Sequence, residues 1–212
     1  MTSSNSTTSS EHEGFASTSL KIAGAGLLVA TAMQAQTSAP TDIDILNYAL
    51  TLENLEAAFY TQGLKQYSST DFMNAAFMSG FADGSGSDVY AYLTIIKDHE
   101  NQHVRTLTSV IKSLGGTPVS PCMYDFGYTN VDQFIAVAQA LENTGVMAYD
   151  GAIALLKNPA LVTASATIAT IEARHAAYLN VLNGQLPSPD AFDTAKSMQA
   201  ILAIAGTFIK GC

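Results

Sequence analysis

The sequence predicts an all-α protein, a four-helix bundle with one long crossover connection and an extra C-terminal helix. Apolar residues recur at helical spacing through four long segments, which indicates amphipathic helices. Strong stop and start signals, such as Gly115-Gly116 and Asn158-Pro159, separate these segments. No segment alternates polar and apolar residues in the way that predicts a strand. With 212 residues, 48% of them hydrophobic, the chain can bury one sizeable core.

The first half of the predicted domain contains two long helices. The first begins near Thr41 or Asp42 and runs to about Gly63, with its apolar residues on one stripe. A short packed helix and a Gly-Ser turn are expected between residues 68 and 87. The second long helix covers residues 87–114 and ends at the glycine pair.

The second half repeats this plan after a long connection. Residues 117–130 form an irregular crossover, whose length suits helices that run in the same direction. The third long helix covers residues 130–157, and the fourth begins at Pro159 and ends at Asn183-Gly184. After a loop with two prolines, a last apolar helix is expected over residues 191–209.

Residues 1–40 are predicted to form a separate leader, and residues 41–212 the domain. The leader starts with a Ser/Thr-rich segment that is too polar to bury a core. An apolar run over residues 22–33 follows, which is too short to span a membrane and resembles the apolar region of a secretory signal peptide. We therefore expect a secreted or cell-wall-associated protein. The alternative is a disordered tail on a cytoplasmic protein.

Charge and cysteine content exclude several classes of function. The chain has 18 Asp and Glu against 9 Lys and Arg, a formal net charge of -9 at pH 7. Nucleic acid and anionic membrane surfaces select basic patches, so neither is an expected partner. Cys122 and Cys212 form no CxxC motif, which argues against a zinc finger or a redox dithiol. Two free thiols and one disulfide remain equally open.

Two Glu-x-x-His pairs are the chemical feature of the chain. Glu100 and His103 lie in the second long helix, and Glu172 and His175 lie in the fourth. Residues three apart lie about one turn apart on the same helix face. At core-facing positions these groups need partners, because an unpaired buried charge is costly or is neutralised by a pKa shift. One such pair is usually part of a solvated face, whereas two pairs in a weakly charged background favour a buried site.

The first and third helices carry a matching repeat. The segment Leu52-Glu53-Asn54 is matched by Leu141-Glu142-Asn143, and a tyrosine follows each glutamate by seven residues, at Tyr60 and Tyr149. Seven residues make about two turns, so each glutamate shares a helix face with its tyrosine. Each half of the chain therefore supplies one Glu with a Tyr and one Glu with a His.

Two further residues lie beside this set. Glu56 lies one turn after Glu53 and is either a bridging ligand in its place or an outer residue that contacts the ligands. The tyrosine spacing favours Glu53 as the ligand. His99 precedes Glu100 and points about 100° away from it on a helix, so we expect it at the surface or in packing contacts.

These residues resemble those of the ferritin-like di-iron carboxylate proteins. That family uses one Glu from each of two helices and a Glu-x-x-His from each of the other two. The resemblance covers most of residues 42–212, and the segments Pro121-Cys122-x-Tyr124 and 171–177 are similar to the branch that contains fungal stress-response and plant desiccation-related proteins. It implies that Tyr60 and Tyr149 are hydrogen-bond partners of the carboxylates and that six residues are metal ligands: Glu53, Glu100, His103, Glu142, Glu172 and His175.

Charge balance favours the same interpretation. Four carboxylates that converge in a core raise one another's pKa, whereas two divalent ions supply four compensating charges. Oxygen and nitrogen ligands without a thiolate suit iron or manganese. We expect two iron ions, with manganese as the alternative, and O₂ or peroxide as partners; a homo-oligomer is left open. The expected function is ferroxidase, peroxide-dependent or O₂-dependent oxidoreductase chemistry in a stress response. The alternative is a non-catalytic, metal-stabilised protein that protects structures on drying.

Overall fold

The computed structural model describes residues 39–81 and 88–212. Nearly all of the predicted leader, and most of the predicted Gly-Ser turn, lie outside the described residues. The regular secondary structure of these residues is helical apart from two very short strands, which confirms the all-α class. The elements in chain order are α1 (Asp42–Gln66), α2 (Ser69–Met73), a 3₁₀ helix (Ala76–Phe81), α3 (Val89–Ser113), β1 (Met123–Tyr124), α4 (Val131–Ile153), α5 (Pro159–Leu182), α6 (Met198–Ala205) and β2 (Ile209–Gly211).

The four long helices form the bundle as two packed pairs. Helix α1 packs mainly against α3, and α4 packs mainly against α5, while contacts between α1 and α4 join the two pairs. The buried core runs along the inner faces of these helices, with Phe59 and Phe134 stacked at 4.6 Å between α1 and α4. Within the described part of the chain, no helix is long and apolar enough to cross a membrane.

Local capping chemistry explains where the helices begin. At α1, the Thr41 hydroxyl oxygen accepts from the Asp44 N–H at 3.2 Å, and the Asp44 carboxylate accepts from the Thr41 N–H at 2.8 Å. This reciprocal capping box satisfies two backbone donors that the first helical turn leaves without partners. At α5, the Asn158 side chain accepts from the Ala160 N–H at 2.9 Å and Pro159 occupies the first turn. Both starts agree with the prediction.

Two helix ends differ from the prediction for reasons that lie in packing. Helix α1 continues past Gly63 to Gln66. Gly63 does not end the helix but lets the Phe134 ring pack against it, because a Cβ there would lie 2.0 Å from that ring. Helix α4 ends at Ile153 and not at Lys157. The Asp42 carboxylate accepts the backbone N–H groups of Lys157 at 2.8 Å and Asn158 at 3.1 Å, which holds the connection in a non-helical turn.

The C-terminal prediction was wrong over most of its length. The last helix covers Met198–Ala205, and the preceding residues 190–197 are not helical and are mostly exposed. Ser197 caps the helix by accepting from the Ala200 N–H at 3.3 Å. Ile209, predicted to be helical, pairs instead with Tyr124 in the antiparallel β1–β2 ladder. The expectation that the domain has no strand was therefore also wrong.

A disulfide lies beside this two-stranded sheet. Cys122 and Cys212 are bonded, so the segment that follows α6 is joined to the crossover between α3 and α4. Of the two alternatives left open by the sequence, the structure has the bridged one. It closes a loop with a sequence separation of 90 residues, which contains α4, α5 and α6.

Candidate metal centre

The four long helices bring all six predicted ligand residues together in the middle of the bundle. The periodicity that makes each helix amphipathic also turns these side chains inward. The four glutamates are fully buried, at 0% exposure, His175 is 1% exposed and the His103 side chain is 12% exposed. The contributions are Glu53 from α1, Glu100 and His103 from α3, Glu142 from α4, and Glu172 and His175 from α5.

The six residues form two overlapping groups. We define the His103 group as Glu53, Glu100, His103 and Glu172, and the His175 group as Glu100, Glu142, Glu172 and His175. In each group every residue offers one ligand atom, and these atoms lie within 4.8 Å of one another. Glu100 and Glu172 belong to both groups. Two cation positions that share a pair of carboxylates would need this arrangement.

In each group one imidazole nitrogen faces several carboxylate oxygens. The Nδ1 atom of His103 lies 3.1 Å from Glu53 Oε2, 3.1 Å from Glu100 Oε2 and 3.2 Å from Glu172 Oε1. The Nδ1 atom of His175 lies 3.1 Å from Glu100 Oε1 and 3.2 Å from Glu142 Oε2. One N–H cannot serve all of these acceptors.

Among the residues that the structure describes, three buried carboxylate oxygens consequently have no hydrogen-bond partner. They are Glu100 Oε1 and both oxygens of Glu172. Glu100 Oε1 and Glu172 Oε1 are close enough to an imidazole for charge attraction, but the direction of approach does not give a hydrogen bond. Buried polar atoms without partners are uncommon and costly, so this set is suited to accept cations.

The two predicted tyrosines donate hydrogen bonds to Oε1 of Glu142 and Glu53. Each bond runs between helices and not along one helix. The Tyr60 hydroxyl on α1 donates to Glu142 Oε1 on α4 at 2.6 Å. The Tyr149 hydroxyl on α4 donates to Glu53 Oε1 on α1 at 2.5 Å. Each tyrosine thus bonds to the glutamate of the other helix and not to the one seven residues before it. The second oxygen of each glutamate remains directed at an imidazole.

Burial and mutual repulsion shift the pKa values of these groups strongly. Burial raises the pKa of Glu53 to about 7, and burial with the neighbouring Glu100 and Glu142 charges raises the pKa of Glu172 well above its usual range. Against the effect of burial, the nearby carboxylates, Glu142 foremost, raise the pKa of His175 to about 10. The cluster without metal therefore holds protons where cations would otherwise balance its charge.

A fifth carboxylate lies beside the two groups. Glu56 on α1 is buried, and burial followed by repulsion from Glu172 and Glu142 raises its pKa well above the usual range. Gly145 on α4 makes room for it: a Cβ at that position would lie 3.2 Å from Glu56 Oε1 and 3.0 Å from Glu172 Oε2. Glu56 belongs to neither ligand group. A glycine in the middle of a helix was the sequence signal for this close approach.

His99 was assigned by the sequence to the surface or to packing, and the structure gives it a more specific contact. Its Nδ1 atom lies 3.0 Å from Nε2 of His175, and the two rings meet edge to edge, with centroids 5.3 Å and planes 14° apart. The ring is partly buried on α3. Helical spacing within α3 could not reveal this contact, because His175 lies on another helix.

Most of the chain is similar in sequence to known proteins. The family model of the ferritin-like domain matches residues 41–185. Protein rds1 of Schizosaccharomyces pombe is 26% identical over 171 residues, which cover 81% of this chain and 40% of that protein. The chain thus spans about two fifths of the length of this relative. With a helical bundle, a buried carboxylate and histidine cluster and a family match over more than half of its residues, the chain belongs to the ferritin-like domain family.

Proposed function

We propose that this protein binds two metal ions in its bundle core and uses them to consume O₂ or peroxide. Iron is the proposed metal, with manganese as the alternative, because the donor set combines carboxylate oxygen and imidazole nitrogen without a thiolate. The observation that carries the proposal is the pair of overlapping ligand groups that share Glu100 and Glu172. The partnerless oxygens of these two glutamates support it.

Charge balance supports two ions rather than one. The four ligand glutamates carry four negative charges when ionised, and two divalent ions balance them while both imidazoles bind in the neutral form. Glu56 adds no negative charge as long as its carboxyl group keeps its proton, and its raised pKa favours that protonated form.

The residues around the two metal positions would have different roles. Two iron(II) ions held by these residues would each supply one electron to the oxidant, becoming iron(III), and would also supply Lewis acidity. Tyr60 and Tyr149 hold the outer glutamates by one oxygen, so that the other oxygen stays available as a ligand. The partial exposure of the His103 ring makes the His103 group the side from which ions and oxidant approach. Complete burial of the carboxylates favours a small oxidant over a bulky organic substrate.

A structural role is the second candidate, and the same burial favours it. A fully enclosed cation bound to carboxylates from all four helices would tie the bundle together without turning over any substrate. The two roles differ in a measurable way. A protein with a structural site binds metal and melts at a higher temperature, but an enzyme also consumes the oxidant.

The test begins with anaerobic loading of the full chain with iron(II), followed by metal analysis and oxygen and peroxide consumption assays. Glu100→Gln is the diagnostic variant, because Glu100 belongs to both ligand groups. Glu56→Gln is the matched control, since it makes the same change at a buried carboxylate outside both groups. We expect the wild type and Glu56→Gln to bind two ions and Glu100→Gln to lose them. Equal metal content in all three proteins would refute the proposed site, and bound iron without oxidant consumption would leave the structural role.

A further inference from the structure

The contact between His99 and His175 connects the buried centre with the protein surface. His175 directs Nδ1 toward the carboxylates of the His175 group and Nε2 toward Nδ1 of His99. The two ring planes are 14° apart, and the nitrogen atoms that face each other lie between the two ring centroids, so the rings meet edge to edge in the geometry of an in-plane hydrogen bond. His175 is almost completely buried, and no other group in residues 39–81 and 88–212 hydrogen-bonds its Nε2 atom.

Metal binding would fix the direction of this hydrogen bond. An imidazole that binds a cation through Nδ1 must present a lone pair there, so its single proton resides on Nε2. That N–H then needs an acceptor, and Nδ1 of His99 lies 3.0 Å away. Ligating histidines usually donate their second N–H in this way, which holds the ring in orientation and makes it a better ligand.

The other ligand histidine lacks such support. His103 also directs Nδ1 at the carboxylates, but within the described residues no protein group hydrogen-bonds its Nε2 atom. Its ring is 12% exposed, whereas that of His175 is 1% exposed. Each ligand group contains three glutamates and one histidine. The main difference between them is therefore whether the Nε2 atom of the histidine has a hydrogen-bond partner.

We propose that His99 is a positioning residue that makes the His175 group the tighter of the two metal positions. It accepts the Nε2–H of His175, holds that ring with its Nδ1 lone pair toward Glu100 and Glu142, and so favours loading of the His175 group before the His103 group. This inference rests on the proposed function, since it requires two metal positions, and it adds their order of loading.

Anaerobic cobalt(II) titration of the full chain, followed by visible absorption, tests the proposal. His99→Phe keeps an aromatic ring against His175 but removes the acceptor, while His99→Asn keeps an acceptor near the position of Nδ1. Each is also made in a His103→Ala background, in which the His175 group is the one that retains its imidazole. The melting temperature of each metal-free variant reports any structural effect separately.

We expect two-step binding in the wild type and a 10- to 100-fold loss of affinity in the tighter step for His99→Phe. The same loss should occur in the His103→Ala background, and His99→Asn should bind close to the wild type. Unchanged affinity in His99→Phe, or an equal loss in His99→Phe and His99→Asn, would overturn the inference while leaving the two-ion site intact. A wild type that binds fewer than two ions would instead overturn the proposed function and this inference with it.

The same proposal can be tested on the wild type, without any substitution that could affect folding. In the cobalt(II) protein, proton NMR resolves imidazole N–H signals that the metal shifts outside the usual range. We expect one such signal, from His175, to exchange slowly with solvent because it is buried and hydrogen-bonded, and the other to exchange rapidly. Rapid exchange of both signals would contradict the proposal.

Discussion

The hydroxyl group of Tyr60 lies 2.6 Å from Oε1 of Glu142, although the two residues are 82 positions apart in the chain. The reciprocal bond, from Tyr149 to Glu53, spans 96 positions. Each half of the chain thus orients the carboxylate that the other half supplies. The geometry of the cluster therefore depends on correct docking of α1 against α4, and not on either helix by itself.

Removal of one of these hydroxyl groups should destabilise the protein. Tyr60→Phe leaves a buried carboxylate oxygen without its donor, which costs about 1–3 kcal/mol. Tyr48→Phe is the matched control, because the Tyr48 hydroxyl is buried and has no hydrogen-bond partner in the described part of the chain. Its removal should be neutral or stabilising. Denaturant unfolding of the metal-free proteins measures both changes. Equal losses from the two substitutions would contradict the role given to the Tyr60 bond.

Without metal, the protein should lose stability as the pH rises. Burial holds the pKa of Glu53 at about 7, above its ordinary 4.5, so in this window the folded state keeps a proton that the unfolded state releases. His175, with its pKa raised by the carboxylates from 6.5 to about 10, behaves in the same way at higher pH. Glu56 and Glu172, whose pKa values are also raised, outweigh His99, whose pKa is lowered by burial. The folded state therefore binds more protons in net, and the free energy of unfolding falls with pH.

Melting temperatures of chelator-treated protein at several pH values between 5 and 9 check this expectation. Metal should reverse the trend, because bound cations displace the same protons and bind more tightly as the pH rises. A metal-free melting temperature that climbs steadily over this range would show that the carboxylates are not held protonated as described.

Two glycine substitutions should have different consequences. Gly145→Ala adds helix propensity worth about 1 kcal/mol, but its methyl group would press on Glu172 and Glu56. We expect weaker metal binding with little loss of metal-free stability. Gly63→Ala would drive a Cβ into the Phe134 ring, and such overpacking costs about 1–3 kcal/mol whether or not metal is present. Cobalt(II) affinity and denaturant unfolding of both variants separate the two effects, and metal affinity unchanged in Gly145→Ala would disprove the first.

Loss of the disulfide should destabilise the chain substantially. In the chain-entropy description, a closed loop of 90 residues contributes roughly 4–5 kcal/mol, less any strain. Cys212→Ser should therefore unfold at lower denaturant concentration than the oxidised wild type and should not respond to a reducing agent. A wild type that is equally stable before and after reduction would contradict this. Such bridges persist in oxidising compartments.

The sequence predicted the features that depend on local pattern. Helix starts at Asp42 and Pro159 follow from capping residues within a few positions, and the inward positions of Glu100 and His103 follow from helical spacing. The contact of His99 with His175 depends on how α3 and α5 are rotated against each other, which no single helix specifies.

Non-local pairing also explains the errors near the C-terminus. Ile209 has the apolar character of a helical residue, but its partner is Tyr124, far away in the sequence. The hydrogen bonds that Tyr60 and Tyr149 make across α1 and α4 also depend on non-local packing. Spacing along one helix shows that a tyrosine and a glutamate share a face, whereas docking decides which glutamate the hydroxyl reaches.

The bridge between Cys122 and Cys212 also divides the molecule mechanically. When the chain is pulled between its described N-terminal residue and Cys212, the tension passes along α1 and α3 and then crosses the bridge. Helices α4 and α5 lie inside the closed loop and bear none of it. Stretching would thus peel Glu53, Glu100 and His103 away from Glu142, Glu172 and His175, splitting the centre into its two halves while the second pair of helices stays covalently enclosed.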